Sequence, residues 1–306
     1  MAKHGKVQTF FEYLTARTIF GSLRLLPLSL AMKKGEGIGL IAYKLAAELR
    51  KTGQRNLSLA FPEKSDHERT ELLKGSFASL GRTLGVFSQF DTVQPNELLK
   101  IIEIEGLANL DEAKSLGRGV ILFTGHLGAW ELTSFSLSAL EYPLTFLVRR
   151  MDNPEIEKLI DRSRTRLGNR TLDKLSAARP MLRVLQTGGT LGLLLDLNTL
   201  DDEAIFVNFF GVPASTNFMV AKLALRNQTP IIPVFAPWDP RIRKFRLEIA
   251  PPIKFTPTGN EAEDVRKLTE ELSLVIEDKI REYPDQWLWI HKRWKTRPPG
   301  EPDIYN

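Results

Sequence analysis

Over the first fifty residues, apolar positions recur at mixed spacings of three and four: Phe10, Phe11, Leu14, Ile19, Leu23 and Leu26. Arg17 and Arg24 fall on another face. That periodicity predicts an amphipathic helix, which Pro27 ends or kinks. A second helix is expected through Ile38 to Leu49. A third is expected over residues 66 to 90, with Ser65 or Asp66 as its N-cap. Gly75, Gly81 and Gly85 lie along the third. They either let another helix approach closely or weaken the helix itself.

From about residue 101 the pattern changes. Short β-rich runs, Ile101–Ile104, Val120–Thr124, Leu144–Val148, Thr190–Leu195 and Pro230–Phe235, alternate with helical stretches at 107–116, 130–140, 154–167, 177–187 and 217–226. Strands alternating with helices imply βαβ units and an α/β fold. Its central sheet should be mostly parallel and flanked by helices. Residues 245 to 255 read as one or two edge strands, followed by a charged helix over 260 to 282 and a tail rich in tryptophan, proline and basic residues. The expected division is a helical N-terminal extension over 1–100, touching a membrane surface, and an α/β domain over 101–306.

Bulk composition narrows the function classes. Apolar residues are 42% and charged residues 26%, ordinary for a folded chain. The absence of cysteine removes disulfides, thiol nucleophiles and thiolate metal sites. The net charge of +5 favours anionic partners, among them nucleic acid, phosphorylated substrates, acidic carriers and anionic lipid surfaces. Crossing a bilayer takes roughly 18 to 20 uninterrupted apolar residues. The best candidate, residues 10 to 31, is broken by Glu12, Arg17, Arg24 and Pro27. Any contact with a membrane is therefore expected at its surface.

The chemistry begins at residues 120 to 131, V-I-L-F-T-G-H-L-G-A-W-E. An apolar strand stops at Gly125, His126 follows, and Glu131 comes five residues later. Open α/β sheets carry their sites at the carboxyl ends of strands. Residues five apart on a helix are about 140° apart and share no face. Cooperation therefore requires His126 in the turn before the helix, with Glu131 reaching back from its first turns. A carboxylate bonded to one imidazole nitrogen fixes the tautomer and leaves the other nitrogen as a base. The bland alternative is a capping histidine with Glu131 on a solvated face. Other catalysts find no support. G-x-S-x-G is absent, the four histidines (4, 67, 126 and 291) are dispersed, and neither a P-loop nor a dinucleotide fingerprint occurs. The nucleophile is then the hydroxyl of the substrate.

These residues belong to a longer ordered set: Q-R-N-L-S-L-A-F-P-E, G-H-L-G-A-W-E, F-L-V-R-R-M-D-N-P, L-L-L-D, F-F-G-V-P-A-S-T, P-I-I-P-V-F and Q-W-L-W-I-H-K-R-W-K. The set resembles the bacterial lipid A biosynthesis (lauroyl/myristoyl-type) acyltransferases, within the wider His-x-x-x-x-Asp/Glu acyltransferase group, and it covers most of the chain. One departure is Leu197, where that family commonly carries a polar residue. The resemblance implies a glycerolipid-acyltransferase-like α/β fold. It also implies transfer of a fatty acyl chain from a thioester, on acyl carrier protein or coenzyme A, to a hydroxyl of a membrane glycolipid. The acceptor would be a lipid A precursor at the cytoplasmic face of the inner membrane. His126 would be the general base and Glu131 its support, with no metal or cofactor and no nucleic acid partner. A related branch acylates mannosylated phosphatidylinositol and typically carries aspartate at the Glu131 position.

Further residues carry expectations of their own. Arg149 and Arg164, whose positions match the family pattern, are candidates for binding a phosphate of the substrate. Arg166 and Arg170 read as a solvated basic face. Asp196 ends a leucine-rich strand, where it could position a sugar hydroxyl, orient Arg149, or simply make a turn. Residues 209 to 216 read as a loop entering a helix, with Ser215 or Thr216 capping it and free N–H groups for an anion. Trp287, Trp289 and Trp294 among basic residues suit either a membrane interface or a packed tail, and His291 reads as structural. The rival to catalysis is a peripheral membrane-binding protein. Thioester hydrolysis, with water as acceptor, is a second enzymatic alternative.

Overall fold

A computed structural model describes residues 5–174, 177–200 and 203–305. His4 lies outside the described residues. The chain opens with four helices: α1 (Lys6–Arg24), α2 (Leu28–Leu45), α3 (Ala47–Ala60) and α4 (Asp66–Phe87). Pro27 both stops α1 and serves as the N-cap of α2. Its fixed φ suits a helix entrance, so the second helix begins ten residues earlier than the apolar pattern suggested. Ser65 and Glu68 form a reciprocal capping box on α4, which fixes its start.

The glycines of α4 allow close packing. Gly35 and Gly39 on α2 meet Gly81 and Gly85 on α4. A Cβ at Gly35 would lie 2.1 Å from the Gly81 carbonyl oxygen, and one at Gly39 2.0 Å from that of Phe77. The obstacle is backbone in each case, which no rotamer change relieves.

The α/β portion follows: α5 (Pro95–Leu99), β1 (Ile102–Glu105), α6 (Leu107–Ser115), β2 (Val120–Thr124), α7 (Trp130–Ala139), β3 (Thr145–Val148), α8 (Pro154–Thr165), β4 (Arg170–Asp173), α9 (Ala178–Gln186), β5 (Thr190–Leu194), β6 (Ala204–Phe209), β7 (Val212–Asn217), α10 (Met219–Asn227), β8 (Ile231–Phe235), β9 (Trp238–Asp239), β10 (Lys244–Ile249) and α11 (Glu261–Glu282). The main sheet runs β1-β10-β8-β2-β5-β3-β4, with β9 paired to β10. Its pairs β8–β2, β2–β5, β5–β3 and β3–β4 are parallel. The expected α/β architecture is the one found.

Three local expectations differ. Residues 244–249 form no edge: β10 sits between β1 and β8, antiparallel to β8. β4 was not evident, because its four residues mix Arg170 and Asp173 with a single pair of strand formers. Residues 204–217 form an antiparallel hairpin apart from the main sheet. Its two-residue turn places Phe210 at φ 52° and Gly211 at φ 75°, the backbone of a type I′ turn. Ser215 and Thr216 are therefore buried strand residues, and the helix after them has Phe218 as its N-cap, with Asn217 Oδ1 accepting from the Met219 N–H at 2.9 Å.

Successive residues of β2 serve opposite faces. Ile121 and Phe123 join one core with Leu191, Leu193, α11 and the three C-terminal tryptophans. Val120 and Leu122 join the other with α7, Ile232 and Val234. Helix α4 contributes to both, through Leu73 and Phe77 on one side and Val86 and Phe87 on the other.

Candidate active site

Strands β2 and β5 are parallel neighbours in strict register, Val120 opposite Thr190 through Thr124 opposite Leu194. Two residues beyond each strand end, the same register sets His126 beside Asp196. The His126 ring Nδ1 lies 2.8 Å from Asp196 Oδ1. The His126 backbone N–H donates to Asp196 Oδ2 at 2.7 Å, and the Trp287 indole N–H donates to the same oxygen at 2.7 Å. An ionised carboxylate only accepts, so in the neutral ring Nδ1 carries the proton and Nε2 the lone pair. The Asp196 side chain is wholly buried, whereas 16% of the His126 side chain reaches solvent.

Electrostatics hold this arrangement. Burial works against the Asp196 charge, but the charge that His126 can carry and the hydrogen bonds from His126 and Trp287 outweigh it. They bring the carboxyl down to about 2. The turn that presents His126 is pressed against the end of β8. Gly128 has φ 58°, and a Cβ there would meet the Ala236 carbonyl oxygen at 2.4 Å. The Leu288 N–H donates to the His126 carbonyl at 3.0 Å, and the Trp130 ring packs beside the imidazole at 5.1 Å.

Glu131 is engaged elsewhere, so the hydrogen bond expected between it and His126 is not the one formed. It sits in the first turn of α7 and accepts from Arg164 Nε at 3.2 and 3.1 Å, and also from Arg164 Nη2. Burial disfavours the Arg164 cation, yet Glu131 more than compensates and raises its pKa above the ordinary guanidinium value. Arg164 is thereby paired within the protein. Arg164 of α8 takes both Glu131 carboxylate oxygens, and the carboxylate that reaches the imidazole comes from the end of another strand.

The remaining candidates fall as follows. Arg149 is exposed at the carboxyl end of β3, with no hydrogen bond or ion pair among the described residues. Strand β5 separates β3 from β2, so Arg149 is one strand further from His126 than an immediate neighbour would be. Arg166 is structural, donating to the Phe90 and Val93 carbonyls, and Arg170 is exposed. Asp196 neither orients Arg149 nor faces solvent. The three tryptophans are fully buried, which overturns an interfacial role for them. His291 is structural: burial pushes it down to about 4, and its Nε2 accepts from the Asn198 N–H at 3.1 Å. Arg293, missed in the sequence, is fully buried among the Leu197 and Ser215 carbonyls and the Thr216 hydroxyl. Only its place between two tryptophans hinted at burial.

Two apolar features lie apart from this centre. Val7, Phe10, Phe11 and Leu14 make an exposed stripe on α1, with Leu25 exposed just past its end, and Leu40, Ile41 and Leu45 an exposed patch on α2. Beneath α1 runs a groove of about 650 Å³, lined by Phe11, Thr15, Ala16, Ile19, Phe20 and Leu84 among others. No helix among the described residues is long and apolar enough to cross a membrane.

A family model described as bacterial lipid A biosynthesis acyltransferase matches residues 4–296. The chain belongs to that family. This acyltransferase is 25% identical to lipid A biosynthesis acyltransferase 2 of Shigella flexneri, over 88% of this chain and 84% of that protein. It is 27% identical to the lipid A biosynthesis lauroyltransferase of Escherichia coli (strain K12), over 92% and 90%. It is 28% identical to the palmitoleoyltransferase of the same organism, over 89% and 87%. Relatives named for different acyl groups are thus about equally similar to the acyltransferase, and overall likeness does not set its chain length.

Proposed function

We propose that this acyltransferase moves a fatty acyl chain from an acyl carrier protein thioester to a hydroxyl of a lipid A precursor, at the cytoplasmic face of the inner membrane. The observation that carries the reading is the His126–Asp196 pair, a buried carboxylate bonded to Nδ1 of an imidazole that still reaches solvent and whose Nε2 is left as the base. The family membership and the names of the relatives support the choice of substrates.

In this mechanism the acceptor hydroxyl gives its proton to His126 Nε2 as its oxygen attacks the thioester carbonyl carbon. Asp196 stabilises the resulting imidazolium. Collapse of the tetrahedral intermediate breaks the carbon–sulfur bond. The thiolate leaves and recovers the proton from His126, so the products are an ester and a free thiol. Arg149, exposed and unpaired among the described residues, meets a phosphate of the lipid. Arg164 acts through Glu131 to hold α7 and α8 together around the site.

The membrane enters through the first two helices. The exposed stripe of α1 and the α2 patch, with Lys33, Lys34 and Lys44 beside the latter, suit apolar insertion with cations at lipid phosphates. Phe11 belongs both to the stripe and to the groove under α1, so a hydrocarbon chain leaving the bilayer meets apolar walls without crossing water.

The test is to incubate the purified protein with acyl carrier protein and coenzyme A thioesters of several chain lengths plus candidate lipids, and to weigh the products. Acylated lipid A precursor is expected from the carrier-protein donor, and free fatty acid alone would mean hydrolysis. H126A should lower transfer about 100-fold or more. Undiminished transfer by a folded H126A protein removes His126 from the role.

A further inference from the structure

The segment after α11 carries several buried groups that the mechanism leaves unused, among them Gln286, Trp287, Trp289 and Arg293. Trp287 is fully buried, between Phe209 at 5.6 Å and Trp289 at 4.6 Å. Burial of so large a side chain is explained by packing alone. Its indole N–H is not: it is aimed at Asp196 Oδ2, 2.7 Å away. The next residue, Leu288, donates its backbone N–H to the His126 carbonyl, and Leu127 and Trp287 form an isolated antiparallel bridge. One short stretch of chain therefore grips the carboxylate and the turn that carries the imidazole.

We propose that Trp287 is a positioning residue for the reaction, setting through Asp196 both the orientation and the basicity of His126. The inference rests on the reading of His126 as the general base. Its physical basis is the count of donors on Asp196. Oδ1 receives the His126 ring N–H, while Oδ2 receives the His126 backbone N–H and the indole N–H. With both oxygens anchored, the carboxylate plane is fixed, and the imidazole can rotate only by losing its bond. The indole also withdraws negative charge from the carboxylate. Without it, Asp196 bears harder on the ring, the imidazolium is favoured, and the base is lost at a higher pH. The other charged or titratable groups around Asp196 are His291 and Arg293 of the same segment, and the test leaves both intact.

The experiment compares W287F with W289F. Phe keeps an aromatic ring in the cluster but has no N–H. Trp289 is equally buried and donates to the Pro284 carbonyl instead, at 2.6 Å, so its variant carries a comparable packing loss without touching Asp196. In W287F, kcat should fall about tenfold, part of what a positioned base supplies, with KM for both substrates unchanged. The acid-side fall of its rate profile should move up by roughly half to one pH unit, whereas W289F keeps the wild-type profile. If W287F folds poorly, benzothienylalanine at position 287, with sulfur in place of the N–H, preserves the bicyclic shape and should give the same displacement. Proton NMR of the His126 ring reads the effect without any acyl transfer and should show titration at higher pH in either variant than in wild type. An unmoved ring titration in both overturns the positioning role while leaving the acyl-transfer reading standing. A moved titration in a protein inactive toward every donor and lipid overturns that reading and leaves the coupling intact.

Discussion

Two carboxylates close to the same end of the sheet meet two different cations, and the difference separates their duties. Asp196 is wholly buried, holds three hydrogen bonds, and faces an imidazole that can gain or lose a proton. Glu131 is slightly exposed and faces a guanidinium that stays charged at every accessible pH. A carboxylate locked to a guanidinium has nothing to relay. It can fasten α7 to α8 but cannot answer a change in protonation during a reaction. The pair that can answer is His126–Asp196, and the sequence spacing that made Glu131 conspicuous is unrelated to that capacity.

That contrast can be broken in several ways. D196N should have the largest effect, lowering kcat about 100-fold or more, because the amide cannot balance the imidazolium. E131Q should lower it far less. Equal losses in steady-state assays of the two variants would erase the distinction. Next comes stability. R164A leaves Glu131 partly buried without its partner and should destabilise the protein by roughly 1–3 kcal/mol in urea unfolding, while E131A/R164A together recover part of that loss. A double variant no better than R164A would mean that the pair adds nothing beyond packing.

The smallest effect is pH-dependent. Because the Asp196 carboxyl is held at about 2 against an ordinary 3.8, its folded-state pKa is depressed. Its contribution to stability is present above about pH 4 and is lost as pH falls towards 2. That contribution is on the order of 2 kcal/mol. Urea midpoints measured across this window should fall more steeply for wild type than for D196N, and parallel curves would show that the carboxylate is not held in this way.

The parallel sheet was legible because β2, β5 and β8 are apolar runs bounded by glycine, proline or charge, the pattern of strands covered on both faces. His126 was legible as the residue that follows the glycine closing a strand. Its partner was not, since His126 and Asp196 lie seventy positions apart and only the register of β2 with β5 joins them. The usable signal was that both end apolar runs of similar length, Val120–Thr124 and Thr190–Leu195, as neighbours in a parallel sheet would. The tryptophans misled for a different reason. Aromatic residues among lysines and arginines have the same composition on a membrane and in a core. Here Arg293 is buried with them, while Lys292 and Lys295 point outward. The hairpin of β6 and β7 was hidden by Gly211 and Pro213, which read as loop residues but mark a tight turn and a two-stranded ribbon whose edge tolerates proline.

The glycine crossing of α2 and α4 has a mechanical consequence. With backbone against backbone at Gly35, Gly39, Gly81 and Gly85, neither helix has side-chain slack in which to slide or tilt. The Thr83 hydroxyl of α4 donates at 3.0 Å to the carbonyl of Gly128 in the turn after His126. Whatever α2 rests on is therefore geared through α4 to the turn that carries His126, so a push on the side of α2 that exposes Leu40, Ile41 and Leu45 is passed on to the imidazole and not absorbed between the helices.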